Sequence, residues 1–88
     1  LLDIAKCRAI GKRNGILSVV EKDLCLLIYL EKEPPLEIIA KMSGYFSKRG
    51  ELLYSPGEHP YFTLKTKTPV KSLTEFMVFY DEENKEEQ

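Results

Sequence analysis

The segment from residue 47 to residue 68, SKRGELLYSPGEHPYFTLKTKT, constrains the fold of this 88-residue chain more than any other. Gly50 can adopt the left-handed conformation that closes a helix, because it has no Cβ to clash. Residues 51–54 then have the character of a short strand. Pro56 and Gly57 suit the centre of a type II turn, in which proline presets φ and glycine accepts a positive φ. The segment therefore predicts a helix that leads into a β-hairpin.

The second strand of this hairpin alternates in character, as a strand with one buried face does. The inner side is predicted to carry Phe62, Leu64 and Thr66. The outer side is predicted to carry Tyr61, Thr63, Lys65 and Lys67. We therefore expect the outer side of the hairpin to be basic.

Helical patterns precede the hairpin. Apolar residues recur at close to helical spacing over residues 1–10, and Asn14 and Gly15 form a stop signal. The segment Ser18–Glu21 matches a capping box, which predicts a second helix from Val19 to about Lys32. Pro34 and Pro35 end that helix, and a third begins at Pro35, with a possible break at Ser43 and Gly44.

A closing helix is predicted after the hairpin. The segment Ser72–Glu75 is a second capping box, and apolar residues at helical spacing follow it. Residues 76–80 also have high β propensity, so a third strand is the alternative there. The core predicted from all these patterns contains Leu24, Leu27, Ile28, Leu36, Ile39, Leu64 and Phe76.

Residues 24–30 are seven consecutive apolar residues, which would surround a helix on every side. Three interpretations are open: a helix at the centre of the domain, a buried strand, or a helix with one face against a partner. Apolar residues of the third helix add to the apolar surface that must be covered, which favours the interpretation with a partner. The predicted partner-binding residues are Leu26, Tyr29, Ile38, Met42 and Tyr45.

These elements predict a small α+β domain with three or four helices and a β-hairpin. Its layout resembles that of winged-helix domains, which implies nucleic-acid binding as an alternative function. In such a domain the third helix enters the major groove and the hairpin contacts phosphates or the minor groove. The residues that this alternative would use are Lys48, Arg49, Tyr61, Lys65 and Lys67.

Charge divides the chain into two parts. Residues 81–88 carry a net charge of −4, which leaves +3 on residues 1–80. We expect residues 1–80 to form one compact domain, and residues 81–88 to form an acidic, disordered tail, because they contain no apolar residue to bury. A body charge of +3 permits contact with phosphates but does not require it.

The cysteines and the hydropathy pattern indicate the cellular compartment that the sequence favours. Cys7 and Cys25 lie in apolar helical patterns, where cysteine acts as a small buried hydrophobe, so we expect a reducing, intracellular compartment. No apolar run reaches the roughly 18 residues of a membrane span, so we expect no membrane contact.

The sequence offers little that points to catalysis. His59, the single histidine, lies in the predicted turn beside Glu58, without the partners that a catalyst or metal ligand needs. We therefore expect no enzyme activity, no cofactor, no metal and no small-molecule substrate. The function that the sequence favours is a non-catalytic protein-interaction or oligomerisation module of a larger protein. Nucleic-acid binding is the alternative.

Overall fold

The computed structural model describes residues 4–46 and 52–87. Within these ranges the chain is an α+β fold with three helices and one four-stranded antiparallel sheet. The predicted residues Lys48, Arg49 and Gly50 lie outside the described residues. The elements are, in chain order, α1 (Ile4–Arg13), β1 (Ile16–Lys22), β2 (Cys25–Leu30), α2 (Leu36–Phe46), β3 (Leu52–Ser55), β4 (Tyr61–Lys65) and α3 (Pro69–Glu87).

The segment predicted as the second helix is instead the β1–β2 hairpin. Lys22 pairs with Cys25, so Asp23 and Leu24 form a two-residue turn, and both have positive φ (44° and 64°). Two positive φ values in succession match the twist of a tight hairpin. The capping-box residues Ser18–Glu21 lie within β1. Of the three interpretations of residues 24–30, the structure therefore agrees best with the buried strand, since β2 covers residues 25–30.

The sheet has the strand order β1-β2-β4-β3, so β2 and β4 lie at its centre. Burial alternates strictly along β2, in which Leu26, Ile28 and Leu30 are buried and the residues between them are half-buried. The predicted alternation of β4 is confirmed, because Phe62 and Leu64 are buried and Lys65 is exposed. The buried side chains of both strands face the helices.

All three helices lie on this one face of the sheet. α3 crosses its centre, while α1 packs beside β1 and α2 beside β3. The Phe76 ring of α3 meets the Phe62 ring of β4 edge to face at 5.4 Å and the Phe46 ring of α2 at 6.1 Å. Tyr80 stacks on Phe76 at 5.4 Å, and burial raises the pKa of its hydroxyl to about 12. This aromatic cluster joins the helix layer to the centre of the sheet.

The predicted core is partly confirmed. Ile28, Leu64 and Phe76 are buried. Leu24 and Leu36 are exposed, because Leu24 lies in the hairpin turn and Leu36 begins α2. Leu27 and Ile39 are only half-buried. Helical spacing selected Leu27, whereas the period of two in β2 buries Leu26 and Ile28 on either side of it.

Residues 81–87, which were expected in the acidic tail, belong to α3. The Asp81 carboxylate accepts hydrogen bonds from Asn14 Nδ2 at 2.9 Å and Arg13 Nη2 at 3.0 Å, which ties the end of α1 to α3. Glu83 accepts a hydrogen bond from the Tyr45 hydroxyl and pairs with Lys41 at 3.2 Å, which ties α2 to α3. Both acids are buried despite the acidic composition, because α1 and α2 supply donors for them.

These contacts lower the pKa of both acids. For Asp81 the largest cause is the hydrogen bond from Asn14, aided by Arg13 and Lys85. For Glu83 the largest cause is the hydrogen bond from Tyr45, aided by Lys41. The folded chain therefore holds both groups ionised to lower pH than the unfolded chain does.

The strand assignment of β2 predicts different outcomes for two substitutions of similar size that lie four residues apart. Ile28→Ala should lower the free energy of unfolding by about 2–5 kcal/mol, because the side chain is fully buried. Leu24→Ala should change it by about 0.5 kcal/mol or less, because Leu24 is 63% exposed. Urea denaturation measures both values. Equal losses, or a larger loss at Leu24, would contradict the hairpin.

The lowered pKa values predict an acid-sensitive fold. The ordinary pKa values are 3.8 for Asp and 4.5 for Glu. The stability that Asp81 and Glu83 contribute is fully present above those values and is lost as the pH falls through the lower folded-state values. Asp81→Asn and Glu83→Gln should reduce stability at pH 7 and flatten its decline in acid, whereas the exposed Glu82→Gln should do neither. Thermal unfolding between about pH 2 and pH 7 tests this, because the carboxylates of a folded protein become protonated on acid denaturation within that range. Parallel curves for all the variants would contradict it.

Candidate functional site

The face of the sheet opposite the helices is not covered by any described element. The strand residues that point toward it are half-buried or exposed, whereas their neighbours are buried beneath the helices. We call this surface the open face, and it comprises Ser18, Val20, Lys22, Cys25, Leu27, Tyr29, Leu53, Ser55, Tyr61, Thr63 and Lys65.

The strand register arranges the centre of the open face as an uncharged row. Val20 lies opposite Leu27, Leu27 opposite Thr63, and Thr63 opposite Leu53. The two outer members of the row are the most accessible, since Val20 is 43% exposed and Leu53 is 53% exposed. Directly opposed residues of neighbouring strands have Cβ atoms about 5 Å apart, so this row is one continuous apolar band with a single hydroxyl.

The two ends of the open face differ in chemistry. At one end the rings of Tyr29 and Tyr61 lie with centroids 5.4 Å apart, between Ser18 and Ser55. At the other end Cys25 lies between Lys22 and Lys65. The lysines are the charged residues of this face within the described strands. The surface is therefore apolar in the middle, aromatic at one end and cationic at the other.

The structure separates the predicted partner-binding residues. Tyr29 lies on the open face, beside Tyr61. Tyr45 is 43% exposed on the helix side, where its ring stacks on Phe79 at 4.4 Å. Leu26, Ile38 and Met42 are buried in the core of this chain. They cannot reach a partner in this fold, because the strand and helix faces that carry them pack against each other.

The residues predicted for nucleic-acid binding are also divided. Tyr61 and Lys65 lie on the open face, and Lys67 is exposed in the loop after β4. Lys48 and Arg49 lie outside the described residues. His59 lies in the β3–β4 connection and is exposed. The structure therefore brings Tyr61 and Lys65 together with Tyr29, which the sequence had assigned to a protein partner.

Within residues 4–46 and 52–87, no group of three or more His, Cys, Asp or Glu side chains has the arrangement of a metal site. Cys7 and Cys25 do not form a disulfide with each other. Among the same residues, no helix combines the length and apolar character needed to cross a membrane.

Comparisons of the chain with protein-family models, with curated proteins and with solved structures find no match in any of the three. The function must therefore be inferred from the chain's own side chains.

Sequence reasoning missed Val20, Leu27 and Leu53 as members of the open face, although it predicted Thr63 on the outer side of β4. The available signal was the pair of β-branched residues Val19 and Val20 close before the apolar run of residues 25–30, a composition typical of strands. The capping-box motif at Ser18–Glu21 concealed it, because that motif also matches the start of a helix.

Proposed function

We propose that this chain is a non-catalytic oligomerisation module, in which the open face packs against the open face of a second copy. The observation that carries the proposal is the sheet itself, with three helices on one face and an apolar row on the other. Unpaired apolar surface of this kind gains free energy when another surface covers it, at roughly 25 cal/mol per Å². Two antiparallel sheets pack face to face in this way in many proteins.

The distribution of charge favours one of two possible two-fold arrangements. An axis parallel to the strands would bring together both cationic ends, with Lys65 of each copy close to the other, and like charges repel. An axis across the strands, along the central row, places the cationic end of one copy over the aromatic end of the other. Lys65 then meets Tyr29 and Tyr61 of the second copy, and a cation over a tyrosine face is attractive. The open face is self-complementary in that arrangement.

The size of the open face predicts a weak dimer. Four strands about 4.8 Å apart and about five residues long span a footprint of roughly 300 Å². Stable interfaces bury about 800 Å² per partner, and smaller ones are weak or transient. We therefore expect association that depends on concentration, so a single measurement at low concentration does not test it.

The exposed ends of the central row provide the first functional prediction. Leu53→Lys and Val20→Lys should each abolish the concentration-dependent rise in mass, because a lysine there would be buried without a partner. Leu36→Lys is the matched control, since Leu36 is an exposed leucine on the helix side. Light scattering across a wide range of concentration, with circular dichroism to check the fold, measures the effect.

Two results would contradict the proposal. The first is a monomer at every concentration in the parent chain. The second is association that Leu36→Lys removes and Leu53→Lys does not, which would place the interface on the helix side.

The alternative function is nucleic-acid binding, and one observation favours it. Tyr29 and Tyr61 lie side by side on the same face as Lys65. Bases of a single strand stack on aromatic side chains, and lysines neutralise its phosphates. In the winged-helix-type arrangement expected from the sequence, α2 and the β3–β4 hairpin would contact a duplex instead. Ile38 and Met42 of α2 are buried, so the open face is the better-supported surface.

A titration with labelled oligonucleotides separates the two functions. If the alternative holds, single strands should bind more tightly than duplexes, and Tyr61→Leu should weaken binding by about 1–3 kcal/mol through lost stacking. Lys65→Gln should lower the salt dependence by about 0.7 in log–log slope, as expected for one phosphate of a single strand, whereas the exposed Lys32→Gln should not. Fluorescence anisotropy at low salt measures both. No binding of either nucleic acid would remove the alternative.

A further inference from the structure

A groove lies between α1, β1 and α3, at the β1 edge of the sheet and mainly on the helix side. Its volume is about 710 Å³. Pockets that hold small organic ligands have volumes of roughly 300–1,000 Å³. The groove is thus large enough for a small ligand.

The groove is apolar in its interior. Gly11, Thr74 and Met77 form a buried floor, and the half-buried Ile16 and Leu73 belong to its walls. The Thr74 hydroxyl donates a hydrogen bond to the Val70 carbonyl at 2.9 Å, so this polar group of the floor is already satisfied. The interior therefore suits an alkyl chain rather than a polar group.

The rim of the groove combines apolar and cationic groups. Leu17 and Val70 are 65% and 66% exposed, although both line the groove. Arg8 and Lys12 lie four residues apart, so they are neighbours on one side of α1. Within the described part of the chain, neither of them forms an ion pair, and the lining contains no acidic residue. The rim therefore carries two positive charges that no described acidic residue of the chain neutralises.

We propose that this groove binds an apolar carboxylic acid of the fatty-acid type. The alkyl chain lies on Met77 and Leu73, and the carboxylate lies at the rim between Arg8 and Lys12. The charge of the rim selects the anion, since a guanidinium and an ammonium form short, charge-assisted hydrogen bonds with a carboxylate. The apolar floor favours a ligand with an alkyl chain. This site does not depend on the open face or on the oligomeric state.

Dodecanoate, below its micellar range, is the probe for a calorimetric titration of the full chain. We expect saturable binding of one molecule per chain and much weaker binding of its methyl ester, which has no charge. Arg8→Gln and Lys12→Gln should each weaken dodecanoate binding by roughly tenfold, the scale of a hydrogen bond to a charged group. Lys65→Gln, on the opposite face of the sheet, is the matched control and should leave binding unchanged.

Two further variants test the groove without disturbing the core. Val70→Asp places a negative charge on the exposed rim at the start of α3, where an acid also favours the helix, so it should repel the carboxylate and keep the fold. Gly11→Ala adds a methyl group 3.5 Å from Ile16 Cβ and 3.8 Å from Met77 Cε, which are ordinary contacts. It should reduce dodecanoate binding more than octanoate binding, because it makes the floor shallower.

Methyl NMR locates the bound probe. Shifts at Met77 and Leu73, with none at Leu53 on the open face, would support the site. The proposal is overturned by non-saturable binding, by equal binding of the ester, by equal effects of Arg8→Gln and Lys65→Gln, or by shifts confined to Leu53. Sedimentation with phosphatidylglycerol vesicles, without saturable binding of free dodecanoate, would also overturn it and would indicate a lipid surface instead.

Discussion

The contact between Phe76 and Phe62 is the interaction on which the rest of the structure depends. It places α3 across the two central strands, and Phe46 and Tyr80 extend it to α2 and along α3. Edge-to-face and offset ring contacts add stabilisation to the burial of the rings themselves. α3 lies on one face of the sheet, and strand alternation places every other residue of β2 and β4 on the opposite face. α1 and α2 lie on either side of α3, so they do not cover that opposite face.

The polar contacts at the end of α3 complete this arrangement. Asp81 holds the end of α1 through Arg13 and Asn14, and Glu83 holds α2 through Tyr45 and Lys41. The helix layer is thus fixed at both flanks of α3 by two acids that the composition alone would have placed in solvent. The fixed position of α1 beside α3 also forms the groove, since residues of both helices line it. The two candidate binding surfaces therefore share one structural origin and lie on opposite sides of the sheet.

The sequence predicted the α+β class, the β3–β4 hairpin and the closing helix, since proline–glycine turn chemistry and strand alternation are local signals. It failed at residues 16–30. The capping-box motif at Ser18–Glu21 predicted a helix there, whereas the chain turns at Asp23 and Leu24. No turn rule selects this pair, because a leucine with positive φ is rare. That error placed Leu26 on a predicted partner surface and Leu27 in the predicted core, whereas Leu26 is buried and Leu27 is half-buried on the open face. The burial of Asp81 could not be predicted, because its partners lie 67 and 68 residues away along the chain.

In the proposed dimer the open face of one copy packs on that of another, with the two-fold axis across the strands. An isotope-filtered NOE experiment tests this most directly, on a concentrated mixture of labelled and unlabelled chains. We expect intermolecular NOEs among the methyl groups of Val20, Leu27 and Leu53, and between the Lys65 methylenes and the Tyr61 ring of the other copy. Intermolecular NOEs confined to the helix side, or none at concentrations where the mass has risen, would contradict it.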